Sequence, residues 1–180
     1  AQGLSLFSKL GVIPQRLVLF PFETEFGEDL LNGEYQAGDY NGERLVMGAV
    51  KLVADGSIQG YTGYLSQPYY TPYHGDAGYR GYPAIPREKL FEQVAALHQA
   101  GYQIAIHGNG DESIEDILDA FEAAQQQHPV DDPRMILIHA QMAREDQVSR
   151  MKALGVTPSF FSAHTWYWGD RHRDIFLGPE

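Results

Sequence analysis

Short apolar runs alternate with stretches of helical period along most of this chain. Leu4, Phe7 and Leu10 recur at helical spacing, Gly11 follows, and residues 16–20 read as a short strand. The same phrase returns at 86–100, where Leu90, Phe91, Val94 and Leu97 share a face. Gly101 then stands where a left-handed residue closes a helix, and a strand over 102–106 follows at once. Ile114, Ile117, Leu118 and Phe121 predict a helix over 113–126 that ends before Pro129 and Pro133. Val148, Met151 and Leu154 predict another over 145–154, with Gly155 and a strand over 156–161 behind it. Further strands are expected at 46–54 and 135–138. These runs are short and nearly continuously apolar, as in parallel strands covered by helices on both faces. The pattern therefore predicts an α/β fold with a parallel sheet, in one domain spanning 1–180.

Three of the strands deliver polar chemistry at or near their C-terminal ends: Lys51 in the 46–54 run, His107 after 102–106 and His139 after 135–138. In α/β barrels the active site is assembled at that end of the strands. One histidine after an apolar run is more often a hydrogen-bonded core residue; three equivalent placements point to a site. Neutral imidazoles suit zinc, whereas an ammonium binds no cation, so Lys51 is a ligand only if neutral or carbamylated. Its competing role is an ion pair with Asp55 or Asp111. Asp55 and Asp111 lie just past their strands, where carboxylates orient imidazoles; capping of the helix near Ser113 is favoured for Asp111, and Asp55 stays open. Residues 56–83 are rich in Gly, Tyr and Pro and show no sustained period. Their tyrosines, Tyr61 and Tyr64 among them, either line a binding pocket or fill space at the sheet's mouth. His164 is a candidate for substrate contact or oxyanion stabilisation. His74, His98, His128 and His172 read as surface histidines, and Arg171–Arg173 as a solvated charge run.

A net charge of -11 argues against nucleic acid and against an anionic membrane surface as partners. No apolar run is long enough to span a bilayer. The chain has no cysteine, so any metal must be held by nitrogen and oxygen; that composition favours a cytoplasmic location, with a signal peptide left open because the start lacks Met.

The segments 50–57 (VKLVADGS), 104–111 (IAIHGNGD) and 138–141 (IHAQ) resemble successive strand-end motifs of the amidohydrolase superfamily. The similar branch is the amidohydrolase-3 group of N-substituted formamide deformylase-like and exoenzyme-regulator-like proteins. Residues 158–164 (PSFFSAH) and 168–170 (WGD) are similar to the same branch. The resemblance covers roughly residues 16–180. It implies a (β/α)8 TIM-barrel fold with one or two divalent ions, often zinc, and a small-molecule amide-type substrate. By motif, Lys51 matches the bridging lysine, carboxylated in many members, while His107 and His139 match the ligands of the next two strands. Lys51 and His164 are expected to take the catalytic part, with Asp55, Tyr61, Tyr64 and His164 against substrate.

Departures from the family count as well. No His-x-His pair precedes Lys51, and the aspartate that serves the family as ligand and base is expected beyond Glu180. The matching motifs span about strands three to seven. The five strands counted are too few for a closed barrel, so a partial (β/α)8 barrel is expected, holding half of a metal site, with open edges that favour self-association. The start without Met and the ending Gly178-Pro179-Glu180 favour excision from a longer chain. Expected function is metal-dependent hydrolysis of non-peptide carbon–nitrogen bonds. The alternatives are an inactive fragment or non-catalytic binding module, and a different reaction on the same scaffold.

Overall fold

The computed structural model describes residues 2–36 and 44–179. Strands and helices alternate: α1 (Gln2–Lys9), β1 (Leu17–Leu19), α2 (Glu23–Leu31), β2 (Leu45–Met47), β3 (Val50–Val53), α3 (Arg87–Gln99), β4 (Ile104–Gly108), α4 (Asp111–Gln127), β5 (Ile136–His139), α5 (Glu145–Leu154), β6 (Thr157–Phe160) and α6 (Ala163–Arg171). A 3₁₀ turn (Ile58–Gly60) follows β3, and a π-helical turn (His172–Phe176) follows α6. Every strand pairing is parallel: β1 with β2, and β3-β4-β5-β6 in sequence order. The single strand expected at 46–54 is divided by Gly48-Ala49 into β2 and β3. A parallel bridge between Phe22 and Lys51 carries the β1 side onto β3, so the two sheets lie along one bent run.

Residues in register across a parallel sheet share a face. Val50, Leu52, Ile104, Ile106 and Leu137 point to one side and are buried with Leu90, Val94, Leu97, Ile114, Ile117, Leu118, Phe121 and Met151 of α3, α4 and α5. At about 25 cal/mol per Å² of apolar surface removed from water, this layer is the main stabilising contact of the chain. Gly101 closes α3 at φ +82, a conformation open to glycine without steric cost, and β4 follows at once.

The other face differs from the expectation of helices on both sides. Lys51, Val53, Ala105, His107, Ile136, Ile138 and Ser159 share it by register, and none of them belongs to the buried cluster formed with α3, α4 and α5. A sheet with one helical coat, whose inner face sets Lys51, His107 and Ser159 among small and branched apolar side chains, fits a barrel wall, whereas a doubly wound sheet is coated on both faces. Two helices carry too weak a signal to be read from sequence. In α2 the apolar positions are few, with only Gly27 and Leu30 buried, and α6 buries no residue at all.

Candidate active site

Lys51, His107 and His139 reach the same end of the inner face. The rings of His107 and His139 lie 4.8 Å apart, edge to face, and the Lys51 charge acts on both. Alternation alone would separate the histidines: His107 pairs with Ile138, so His139, one residue further, falls on the helix-facing parity. The backbone resolves this. His139 and Ala140 adopt φ of 75 and 48, left-handed values that non-glycine residues rarely hold, and the ring is returned to the inner side. Backbone strain of this kind costs roughly 1–3 kcal/mol per residue and concentrates at functional sites.

The orientation of His107 is set by the loop after β3. Its Nε2 lies 2.9 Å from the Gly56 carbonyl oxygen, which also accepts from Asn109 Nδ2 at 2.8 Å. A carbonyl oxygen only accepts, so Nε2 must carry the proton and Nδ1 keeps the lone pair. Metal-ligating histidines are oriented in this way by a carbonyl or carboxylate on the other ring nitrogen. Asp55 lies beside the same nitrogen, with Oδ1 at 3.6 Å.

Asp55 is fully buried, and this corrects its placement against substrate. Its carboxylate accepts backbone N–H from Tyr64 (2.9 Å), Asn109 (2.9 Å) and Gly110 (2.8 Å), stitching the loop after β3 to the loop after β4. Gly110 is required there, because a Cβ would stand 1.9 Å from the Tyr64 carbonyl oxygen. Asp111, expected as a cap, is the first residue of α4 and takes hydrogen bonds from Ser66 N and Oγ and from Arg144.

Burial disfavours the charged forms of the site's nitrogen groups. It lowers the Lys51 ammonium to about 8, and no carboxylate among the described residues pairs with that side chain. It lowers His139 to about 4, helped by His107, His164 and Lys51, and lowers His107, His164 and His172 as well. Burial raises Asp55 to about 6 against the downward pull of its three amide donors. Neutral imidazoles with free lone pairs and a readily deprotonated lysine are suited to divalent metal ligation. Among the described residues no group of three or more His, Asp or Glu side chains converges in ligating geometry. The donors fit a metal as part of a site: two imidazoles and a lysine.

His164, at the start of α6, lies 5.5 Å from the His139 ring, ring centre to ring centre. Tyr61 has φ 57 and stacks on Tyr73 while meeting Tyr69 and Phe176, so its ring belongs to an aromatic cluster at the mouth. Tyr64 is turned under the Arg80 guanidinium, 5.1 Å from its ring centre, and its backbone serves Asp55 and α4. Its side chain is thus held by Arg80, whose guanidinium also donates to the Tyr64 hydroxyl. Two of the presumed surface histidines are misplaced by sequence reasoning. His98 is buried against the His128 carbonyl, and His172 sits 6.5 Å from His164, within hydrogen-bonding reach of Gln141. For Gln141 the signal was present, two residues past His139; for His172 only the fold supplies it. The Arg171–Arg173 run is solvated as expected, with Arg173 paired to Asp170 and Asp174.

Residues 11–180 match the amidohydrolase family. The chain is 30% identical over 147 residues to the protein LONG AFTER FAR-RED 3 of Arabidopsis thaliana, covering 82% of this chain and 24% of that protein. It is 30% identical over 128 residues to the putative amidohydrolase YtcJ of Bacillus subtilis, covering 68% of this chain and 23% of that one. The crystal structure of an uncharacterized metal-dependent hydrolase from Pyrococcus furiosus superposes with a TM-score of 0.76 at 25% identity, over 93% of this chain and 33% of that chain. The chain thus spans about a quarter of the length of the curated relatives it matches. Parallel topology and strand-end histidines agree with these likenesses, and the chain belongs to the amidohydrolase family.

Proposed function

We propose that these residues form the ligand-bearing wall of a metal-dependent hydrolase that cleaves non-peptide carbon–nitrogen bonds in amides, formamides or cyclic amides. The observation that carries the reading is the paired presentation of His107 and His139. One ring is fixed by Gly56 with Nδ1 left free, and the other is turned to it by left-handed backbone. Lys51, as its carbamate, with His107 and His139 would hold one or two divalent ions, zinc by the chemistry of the donors. A bound ion would lower the pKa of a water toward about 7 and polarise the substrate carbonyl. His164, neutral and beside His139, would donate a hydrogen bond to charge developing on the carbonyl oxygen. The Tyr61 cluster would border the substrate and limit water.

A second reading, a binding module without catalysis, draws on one feature: Asp55, the carboxylate nearest the histidines, is committed to three amides and unavailable as a base. No described helix is long and apolar enough to cross a membrane. Metal analysis and turnover of an amide and formamide panel by the full-length protein test the proposal. Turnover that chelation removes and zinc restores is expected. A metal-free protein with unchanged turnover, or no turnover with metal bound, refutes it.

A further inference from the structure

Beyond β6 the chain turns back over the site. In the strand order β3-β4-β5-β6, residues 163–177 start at the β6 end and finish bonded to the loop that follows β3. His164 meets His139 on the way, and the Gln141 amide nitrogen lies over the His172 ring, 3.1 Å and 3.5 Å from its two nitrogens. The far end is firmly seated. Phe176 is 2% exposed and packs with Ile58, Leu65 and Tyr69, while the Tyr61 ring meets it edge-on with centres 5.0 Å apart. Tyr70 N donates to the Phe176 carbonyl (2.9 Å) and Thr71 N to the Ile175 carbonyl (3.1 Å). The turn that presents Phe176 is π-helical, a rare geometry that recurs at functional sites. Between the two ends, α6 buries no residue. The cluster that receives Phe176 is separate from the main core of α3, α4 and α5 against the sheet. An element with few buried contacts, fastened to a cluster of its own, opens locally at a free energy below that of global unfolding.

We propose that Phe176 is a positioning residue, the latch of a strap formed by residues 163–177 over the strand ends that bear His107 and His139. With the latch shut, α6 is held at both ends, which keeps His164 beside His139 and sets the strap between the histidines and bulk water. With it open, α6 is tethered at β6 alone, His164 is no longer fixed, and substrate enters and product leaves on that side. Phe176 itself meets the rings of Tyr61 and His172, and it acts on His164 only through α6. The kinetic consequence rests on the proposed carbon–nitrogen hydrolase reading, whereas the opening itself does not.

The experiment uses the full-length protein, with hydrogen exchange read residue by residue and turnover measured on the amide and formamide panel. In Phe176→Ala the amides of Tyr70 and Thr71 should exchange about a hundredfold faster, because the latch loses a buried aromatic ring. The amides of α6 should follow them, while those of Ile104, Ala105 and Ile106 in β4 stay within about threefold of wild type. The kcat should fall by about tenfold or more as His164 is displaced, with KM held within about threefold. Phe176→Leu, which refills the pocket, should restore exchange and kcat to within about threefold. Thr71→Pro removes one latch donor at the surface and should speed Tyr70 exchange about threefold to tenfold, a check that stands even if Phe176→Ala does not fold. Exchange at Tyr70 and Thr71 unmoved by these variants, or accelerated only together with β4, overturns the strap. Local opening with kcat unchanged overturns the positioning role and leaves the reaction standing. Local opening in a protein that turns over none of the panel supports the strap and sinks the hydrolase reading.

Discussion

Replacing Asp55 by alanine should cost the protein a large share of its stability. The side chain is 0% exposed, and its two oxygens accept three backbone N–H groups, those of Tyr64, Asn109 and Gly110, at 2.8–2.9 Å. Alanine would leave three donors without partners in a site that water cannot easily enter. At about 1–3 kcal/mol for each unsatisfied buried group, and allowing for partial relaxation, the loss is roughly 3–6 kcal/mol. That compares with about 5–15 kcal/mol for a whole domain, so a fall in Tm on the order of 10 °C is expected. Asp55→Asn should cost less, because its carbonyl can serve the Tyr64 and Gly110 amides while its NH2 faces Asn109 N. The pH dependence follows from the folded carboxyl's pKa of about 6, raised by burial from 3.8. The protonated form is favoured by folding, so this contribution is full below about pH 4 and lost as pH rises through about 6. The asparagine variant lacks that slope, and its deficit should be greater at pH 4 than at pH 7. Thermal unfolding across pH, with hydrogen exchange at the three amides, measures both. Asp55→Ala within 1 kcal/mol of wild type, or unchanged protection of those amides, would refute the reasoning.

Three further outcomes follow from the nitrogen groups. With its pKa lowered to about 8, Lys51 should be neutral in roughly a quarter of molecules at pH 7.5, against about one in a thousand for an ordinary lysine, and so primed to take up carbon dioxide. Competitive amine labelling should titrate near pH 8, with a carbamate signal after incubation in 13C-bicarbonate; a midpoint above 10 would overturn this. Burying the ammonium opposes folding below pH 8, so stability should rise from about pH 8 to 10.5 as the unfolded chain alone still holds the proton. The 180-residue chain, whose described residues supply two imidazoles and a lysine, should bind zinc only at micromolar or weaker affinity by calorimetry. Nanomolar binding lost in both His107→Ala and His139→Ala would mean that a complete site is present.

The parts of the architecture that were legible in the sequence are those where one residue type does one job. Leu90, Val94 and Leu97, or Ile114, Ile117 and Phe121, bury a single helix stripe, and periodicity reports it directly. Strand runs ending in His107 and His139 were legible for the same reason. What escaped depended on geometry between distant segments. The 46–54 run reads as one strand because Gly48-Ala49 does not interrupt its hydropathy, yet β2 and β3 pair different neighbours. Helix α6 escaped because it buries no residue and so carries no stripe; Trp166 is 84% exposed. Asp55 resembled a site carboxylate in sequence, and only its amide partners, 9 to 55 positions away, show that it holds loops together.

The adjacency of Asp55 and Gly56 explains how the site gains its order. Asp55 gathers the amides of Tyr64, Asn109 and Gly110, which fixes the path of both loops. The next residue's carbonyl then meets His107 Nε2 and sets its tautomer. The path of the loops and the orientation of the ring are thus set by adjoining residues. His139 is handled differently: no hydrogen bond among those described holds its ring, and its direction comes from the left-handed turn at 139–140. That turn ends with Ala140 N donating to the Gly108 carbonyl and Met142 N to the Asn109 carbonyl. Asn109 therefore belongs to both devices. It receives the β5 turn through its carbonyl, is held by Asp55 through its amide, and shares Gly56 with His107 through its side chain. Preorganisation of the two imidazoles consequently converges on one buried asparagine, whose three contacts couple the ends of β3, β4 and β5.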